Sequence, residues 1–231
     1  MSAPDIQVLD DPAGRVAELL AEAAAAGRHI VLTGGSTPRL AYERAAELGA
    51  DWSRAEIWFG DERCVPPEHE HSNFGMANGA LLSKIAPKAV HRMRGELGPE
   101  DGARDYAGQL DEVFGHGFLP EFDLLLLGLG PDAHVASLFP GNPELGEQTK
   151  TVVGVETPGM APLVARISLT LPVINAATQV VFLVAGADKA EAVARAFGGI
   201  RPGPDAPASL VRPEPGELTV LLDPAAAEHV G

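Results

Sequence analysis

Asp132 and His134 stand two residues apart in GLGPDAHVASLFPG (128–141), directly behind the apolar run FDLLLL (122–127). A histidine beside a carboxylate suits general-base chemistry, because an unperturbed imidazole has a pKa near ~6.5. The same segment also fits a second template: Gly128-x-Gly130-x-x-Ala133 matches a Gly-rich dinucleotide fingerprint. That template needs a long helix after its last small residue, and Pro140, Gly141, Pro143 and Gly146 break any such helix. Asp132 would also repel a pyrophosphate. The dinucleotide reading falls. A strand end, a glycine turn and a short helix displaying Asp132 and His134 remain, either as a catalytic pair or as a histidine that caps the turn.

Other loops carry chemistry of their own. In LTGGSTP, Gly34 and Gly35 let backbone N–H groups approach an anion at a helix start, and Ser36 adds a hydroxyl. The competing reading is a tight turn with an N-cap. No lysine follows at P-loop spacing. In GDER, Asp61 and Arg63 can grip a polar ligand, the guanidinium in bidentate fashion, or form a solvated pair. Cys64, without a histidine partner, reads as a packing residue. His69 and His71 match no zinc spacing and read as a solvated loop. Lys189, one of only four lysines, opens a helix where the macrodipole disfavours a cation, and an anion nearby would explain it. Arg166, a charge amid the apolar residues of ARISLTL, belongs either to a site or to a solvent-facing strand edge.

The elements that must position these loops alternate along the chain. Asp11-Pro12 opens a helix that Gly27 stops; a strand follows at 29–33, then a helix from Pro38 to near Gly49 and a strand at 56–59. Helices are expected from Ser72 or Asn73 to Ile85, over 99–114 and 188–197, and briefly from Pro224. Strands are expected at 122–127, 151–156, 165–171, 179–186 and 217–223. The alternation predicts an α/β fold: a single doubly wound, mostly parallel sheet with helices on both faces, in one domain over residues 1–231. Ligands of such sheets sit outside the carboxyl ends of the strands. The loops Thr33–Ser36, Gly60–Arg63, Gly128–His134 and Gly186–Lys189 should then face one crevice.

Composition narrows the partners. The chain has 231 residues, 45% of them hydrophobic, and a net charge of −15 from 32 acidic and 17 basic residues. That field disfavours nucleic acid and anionic membrane, and an anionic small molecule would need the scarce cations gathered at one place. A single cysteine excludes an internal disulfide, and the N-terminus lacks a secretory pattern, so a cytoplasmic location is expected. No sequence feature sets an oligomeric state, and a monomer is compatible with all of them.

Taken in order, LTGGSTP, WFGDERCVPPEHEHSNFGMA, FDLLLLGLGPDAHVASLFPG, RISLTLPVINAA, FLVAGADKA and PASLVRP resemble the 6-phosphogluconolactonase family, within a larger group that includes glucosamine-6-phosphate deaminase. The resemblance covers most of the chain. It implies hydrolysis of 6-phospho-D-glucono-1,5-lactone in the oxidative pentose phosphate pathway, with neither a metal nor an organic cofactor. By the same resemblance His134 matches the histidine that activates water, with Asp132 beside it. Gly34, Gly35, Ser36 and Lys189 match phosphate-binding parts, and Asp61, Arg63 and Arg166 match residues lining the sugar site. A serine nucleophile is not expected, since no G-x-S-x-G elbow occurs. The deaminase branch reads GHIAFNEP where this chain reads AHVASLFP, and a non-catalytic sugar-phosphate binder would need a DNA-binding segment or partner. The family usually has glycine at position 133 and threonine at 135. Alanine and valine here together suggest a loop repacked around an ordinary or only mildly strained φ at Ala133.

Overall fold

The computed structural model describes residues 3–199 and 201–230. In chain order its elements are β1 (Asp5–Val8), α1 (Pro12–Ala26), β2 (His29–Leu32), α2 (Ser36–Glu47), β3 (Glu56–Phe59), β4 (Asp61–Arg63), α3 (Asn73–Ala80), β5 (Ala89–Val90), α4 (Pro99–Phe114), β6 (Leu124–Leu127), β7 (Val152–Val155), β8 (Arg166–Leu169), α5 (Leu171–Asn175), β9 (Gln179–Val184), α6 (Ala190–Phe197) and β10 (Glu217–Leu222). Local signals account for many boundaries. Asp11 accepts the Gly14 N–H at 3.1 Å to cap α1, Pro12 holds its first position, and Gly27 ends it in the left-handed region at φ 74°. Val16, Leu20 and Ala24 then bury one stripe of the helix. No helix among the described residues is long and apolar enough to cross a membrane.

The main sheet has seven strands in the order β1-β10-β9-β6-β2-β3-β5, all parallel. This is the expected parallel sheet flanked by helices. From β2 the chain steps outward to β3 and β5, then returns to lay β6 on the other side of β2 and runs on to β9 and β10. The strand order therefore reverses between β2 and β6, and a crevice opens there at the carboxyl ends. Leu124 to Leu127 of β6, with neighbours on both sides, are all buried.

Several local expectations need correction. Strands 151–156 and 165–171, and the GDER segment read as a loop, do not join the main sheet. As β7, β8 and β4 they form a separate antiparallel sheet in the order β4-β8-β7. Through β8 and the residue after it, Arg166, Ser168 and Thr170 alternate with Ile167 and Leu169, all five buried, whereas β6 is an unbroken apolar run. Helix α2 starts at Ser36, two residues before Pro38, and α3 ends at Ala80 with a separate 3-10 turn at Leu82–Lys84. Residues after Pro224 form turns. The short helix expected after Gly130 is instead an irregular turn closed by a Val135–Leu138 bridge, because Ala133 and Ala136 both hold positive φ and cannot extend a right-handed helix. β1, on the edge of the sheet, had no counterpart in the sequence reading.

Candidate active site

A cavity of about 220 Å³ opens at the switch point. It is lined by Gly34 and Gly35 after β2, Asp61 and Arg63 of β4, His134 after β6, Arg166 of β8 and Lys189 before α6. Residues expected at the carboxyl ends thus meet in one place. Two expected members do not touch the cavity: Ser36 is exposed at the first position of α2, and Asp132 lies behind His134. A larger groove of about 830 Å³ runs between α4 and β7. Its lining includes none of the residues just named, so size does not mark the chemical site here.

Asp132 is the residue that orients His134. Its Oδ1 lies 2.5 Å from His134 Nδ1 and accepts the His134 backbone N–H at 3.1 Å. An ionised carboxylate only accepts, so Nδ1 carries the proton and Nε2 keeps its lone pair. Burial pushes the Asp132 carboxyl upward, but the hydrogen bonds and charge of His134 outweigh it, leaving the pKa below its ordinary value. The pair lies on bare backbone. A Cβ at Gly130 would fall 2.0 Å from His134 Nδ1, so only glycine leaves room for the imidazole. Phe139 backs the ring, 4.5 Å between centroids. The Ala133 carbonyl accepts the Ala208 N–H at 3.0 Å, which ties the late PASL segment to this loop.

The turn after β2 leaves a helix terminus open beside the cavity. Helix α2 has glycine at its N-cap, no side-chain cap and no acid in its first turn. Its first N–H groups therefore keep no intrahelical partner, and the positive end of the dipole is unopposed. Lys189, with its side chain only 24% exposed, reaches the same cavity, and its nearest carboxylate, Asp188, is 3.8 Å away.

The two arginines are held differently. Arg63 donates from Nη1 to the His71 carbonyl at 2.9 Å, while its buried Nε has no partner. Arg166 is 3% exposed in the central strand of the small sheet, so it is no solvent-facing edge residue. It donates to the carbonyls of Pro162 (2.9 Å) and Val164 (3.1 Å) and lies 5.8 Å from the Phe139 ring centre. Burial lowers its pKa, partly opposed by Asp61. Cys64 behaves as a packing residue: burial, with the charges of Glu156 and Glu62, pushes its thiol to about 12. His69 and His71 lie in a turn, with the His71 N–H donating to His69 Nδ1 at 3.1 Å. Among the described residues no three His, Cys, Asp or Glu side chains group closely enough to hold a metal.

The pattern described as glucosamine-6-phosphate isomerases/6-phosphogluconolactonase matches residues 6–220. The chain belongs to this family. It is 42% identical to the 6-phosphogluconolactonase of Streptomyces coelicolor, over 92% of this chain and 91% of that one. It is 41% identical to the Homo sapiens 6-phosphogluconolactonase, over 85% of this chain and 78% of that one. The crystal structure of 6-phosphogluconolactonase from Leishmania guyanensis superposes with a TM-score of 0.84 at 30% identity, covering 100% of both chains.

Sequence reasoning missed residues of this family member that touch the site. Asn73, read only as a helix cap, lines the cavity, as do Met160 and Ala161. Ser137 lies just beneath, hydrogen-bonded to Asp61. Asn73 and Ser137 lie within segments that carry the resemblance, but neither charge nor spacing singles them out, because their place beside the cavity arises from contacts between segments far apart in the chain.

Proposed function

We propose that this chain hydrolyses 6-phospho-D-glucono-1,5-lactone to 6-phosphogluconate, with His134 as the base that activates water. The observation that carries the reading is the His134–Asp132 pair, whose unengaged Nε2 belongs to a ring lining the same cavity as the anion-ready turn and Lys189. Nε2 takes a proton from water as the hydroxide adds to the lactone carbonyl. The tetrahedral oxyanion collapses, the bond from C1 to the ring oxygen breaks, and the proton passes to that oxygen. Arg63 and Arg166 bring positive charge to the cavity where the oxyanion develops. Asp132 holds the imidazole in the required tautomer and stabilises the imidazolium. The Gly34-Gly35 turn and Lys189 take the phosphate, and Asp61 faces the sugar ring.

Support comes from the family, from lactonase relatives over most of the chain, and from the absence of the deaminase branch's GHIAFNEP in the sequence. The test is acid release from freshly made lactone, corrected for spontaneous hydrolysis, run beside ammonia release from glucosamine 6-phosphate. Lactone turnover without ammonia is expected, and the reverse would assign the deaminase activity. His134→Ala should lower kcat by about 10²–10⁴-fold with a smaller effect on KM. A folded variant with near-wild-type kcat would remove His134 from the mechanism.

A further inference from the structure

Asp61 is 5% exposed, yet its carboxylate is not paired with either neighbouring arginine. Both of its oxygens are taken by neutral donors. Ser137 Oγ donates to Oδ2 at 2.7 Å, and Asn73 Nδ2 donates to Oδ1 at 3.1 Å and to the Asp61 carbonyl at 2.9 Å. Ser137 is fully buried and Asn73 is 3% exposed. A buried carboxylate costs several kcal/mol unless it is satisfied, and neutral donors satisfy it without cancelling its charge. Each carboxylate oxygen can accept more than one hydrogen bond, so Asp61 keeps acceptor capacity toward the cavity it lines.

The donors come from different loops. Ser137 lies three residues beyond His134, and its N–H donates to Ser168 Oγ of β8 at 3.1 Å. Asn73 heads α3 and rests on the phosphate turn: a Cβ at Gly34 would fall 2.0 Å from its Oδ1. Asn73 is itself fixed by the next carboxylate along. Glu62 accepts the N–H groups of Asn73 (2.7 Å) and Phe74 (2.8 Å) and the Ser72 hydroxyl (3.0 Å). On β4, then, Glu62 locks α3 while Asp61 looks into the cavity.

We infer that Ser137 and Asn73 are positioning residues, which hold Asp61 where the base loop and the phosphate turn meet and so set the sugar ring against His134. The inference rests on the lactonase reading. It differs from a general packing role, because both side chains hydrogen-bond one carboxylate that lines the cavity.

A double-mutant cycle tests it. Ser137→Ala and Asn73→Ala should each lower kcat by about 10-fold while KM moves less than about 3-fold, as expected when orientation rather than ground-state binding is lost. For Ser137→Ala, plain gluconolactone and the phosphorylated lactone should suffer equally. With Asp61→Ala already present, adding Ser137→Ala should cost less than about 2-fold, since a residue acting through Asp61 has nothing left to position. Thermal melts of each variant verify folding, and Asn73→Ala provides a second route if Ser137→Ala does not fold. Losses that multiply in the double variant, or wild-type kinetics in a folded Ser137→Ala protein, would overturn the inference. The wild-type assay separates the two readings: no lactone turnover overturns the hydrolase reading and the inference that rests on it, whereas wild-type turnover with either of these outcomes overturns the inference alone.

Discussion

Ala133 holds φ at 63° and Ala136 at 50°, so two alanines on either side of His134 occupy the region that favours glycine. The expectation of an ordinary or only mildly strained φ at Ala133 is therefore corrected: the residue sits in the left-handed region. Val135 suggested a repacked loop, but it is fully buried in the core. Left-handed alanine costs about 1–2 kcal/mol. Against that, Ala133→Gly loses a fully buried methyl worth about 0.8 kcal/mol and adds unfolded-state freedom worth about 0.4–1 kcal/mol. The terms nearly cancel at 133. At Ala136, only partly buried, strain relief should win. Urea melts should show an unchanged midpoint for Ala133→Gly and a raised one for Ala136→Gly, at constant m-value. A fall of about 1 kcal/mol or more in both variants would mean that the loop stores no strain.

Elements carry that precision to the cavity rim. The strand ends before the site are pinned by the only tyrosines in the chain. Tyr42 of α2 accepts the Thr33 N–H and donates to the Thr33 carbonyl, both at 2.8 Å, just before the glycine turn. Tyr106 of α4 does the same for Phe59 at 2.9 and 3.1 Å, just before GDER. In the sequence Tyr106 reads as one more member of an apolar stripe, because periodicity reports burial and says nothing of where a hydroxyl points. The turn itself was legible, since glycines between a strand and a helix have few uses. So was Lys189, a cation placed against the dipole just ahead of α6, whose N-cap it forms. Helix α4 carries Glu100 and Asp101 in its first turn, whereas α2 carries no acid there. That open terminus and Lys189 meet at one cavity, which is where the proposed function puts the phosphate. Lys189→Ala should therefore reduce kcat/KM on the phosphorylated lactone by about 10–100-fold, the equivalent of one charge-assisted hydrogen bond, and barely alter it on plain gluconolactone. Equal losses on both substrates would place the lysine elsewhere in the mechanism.

At the scale of the molecule, the parallel strands separate chemistry from scaffold. Their carboxyl ends hold the cavity, and the order of loops along the chain was enough to foresee which segments meet there. The opposite end holds a network that the sequence did not reveal, since its members are scattered and individually unremarkable. Glu56 accepts Lys88 Nζ at 2.7 Å and lies 2.9 Å from His91 Nε2; His91 stacks on Trp58 with centroids 3.7 Å apart. Trp58 Nε1 donates to His29 Nδ1 at 3.2 Å, which requires His29 to be unprotonated at that nitrogen. Burial holds the His29 pKa below its ordinary value, only partly opposed by the carboxylates of Glu56 and Asp123. Burial pushes Glu56 upward, yet Lys88 and His91 outweigh it and its pKa also ends lowered. Both shifts have the same consequence. Where the unfolded state binds more protons, stability rises with pH, so the neutral His29 stabilises the fold above about pH 6.5 and that contribution is lost as pH falls. The Glu56 contribution is present above about pH 4.3 and is lost as pH falls through its folded value. Reduced repulsion among the excess carboxylates works the other way on acidification, so the wild-type trend alone does not isolate the histidine. His29→Gln can retain an acceptor for Trp58 but has no proton to gain. Between about pH 7.5 and 5.5, spanning the ordinary histidine pKa, the wild-type urea midpoint should fall relative to that of His29→Gln. kcat/KM at neutral pH should match in the two proteins, because the network lies at the far end of the sheet from the cavity. Parallel midpoint curves would mean that His29 takes up no extra proton on unfolding, and the acid sensitivity assigned to this network would have to come from other groups.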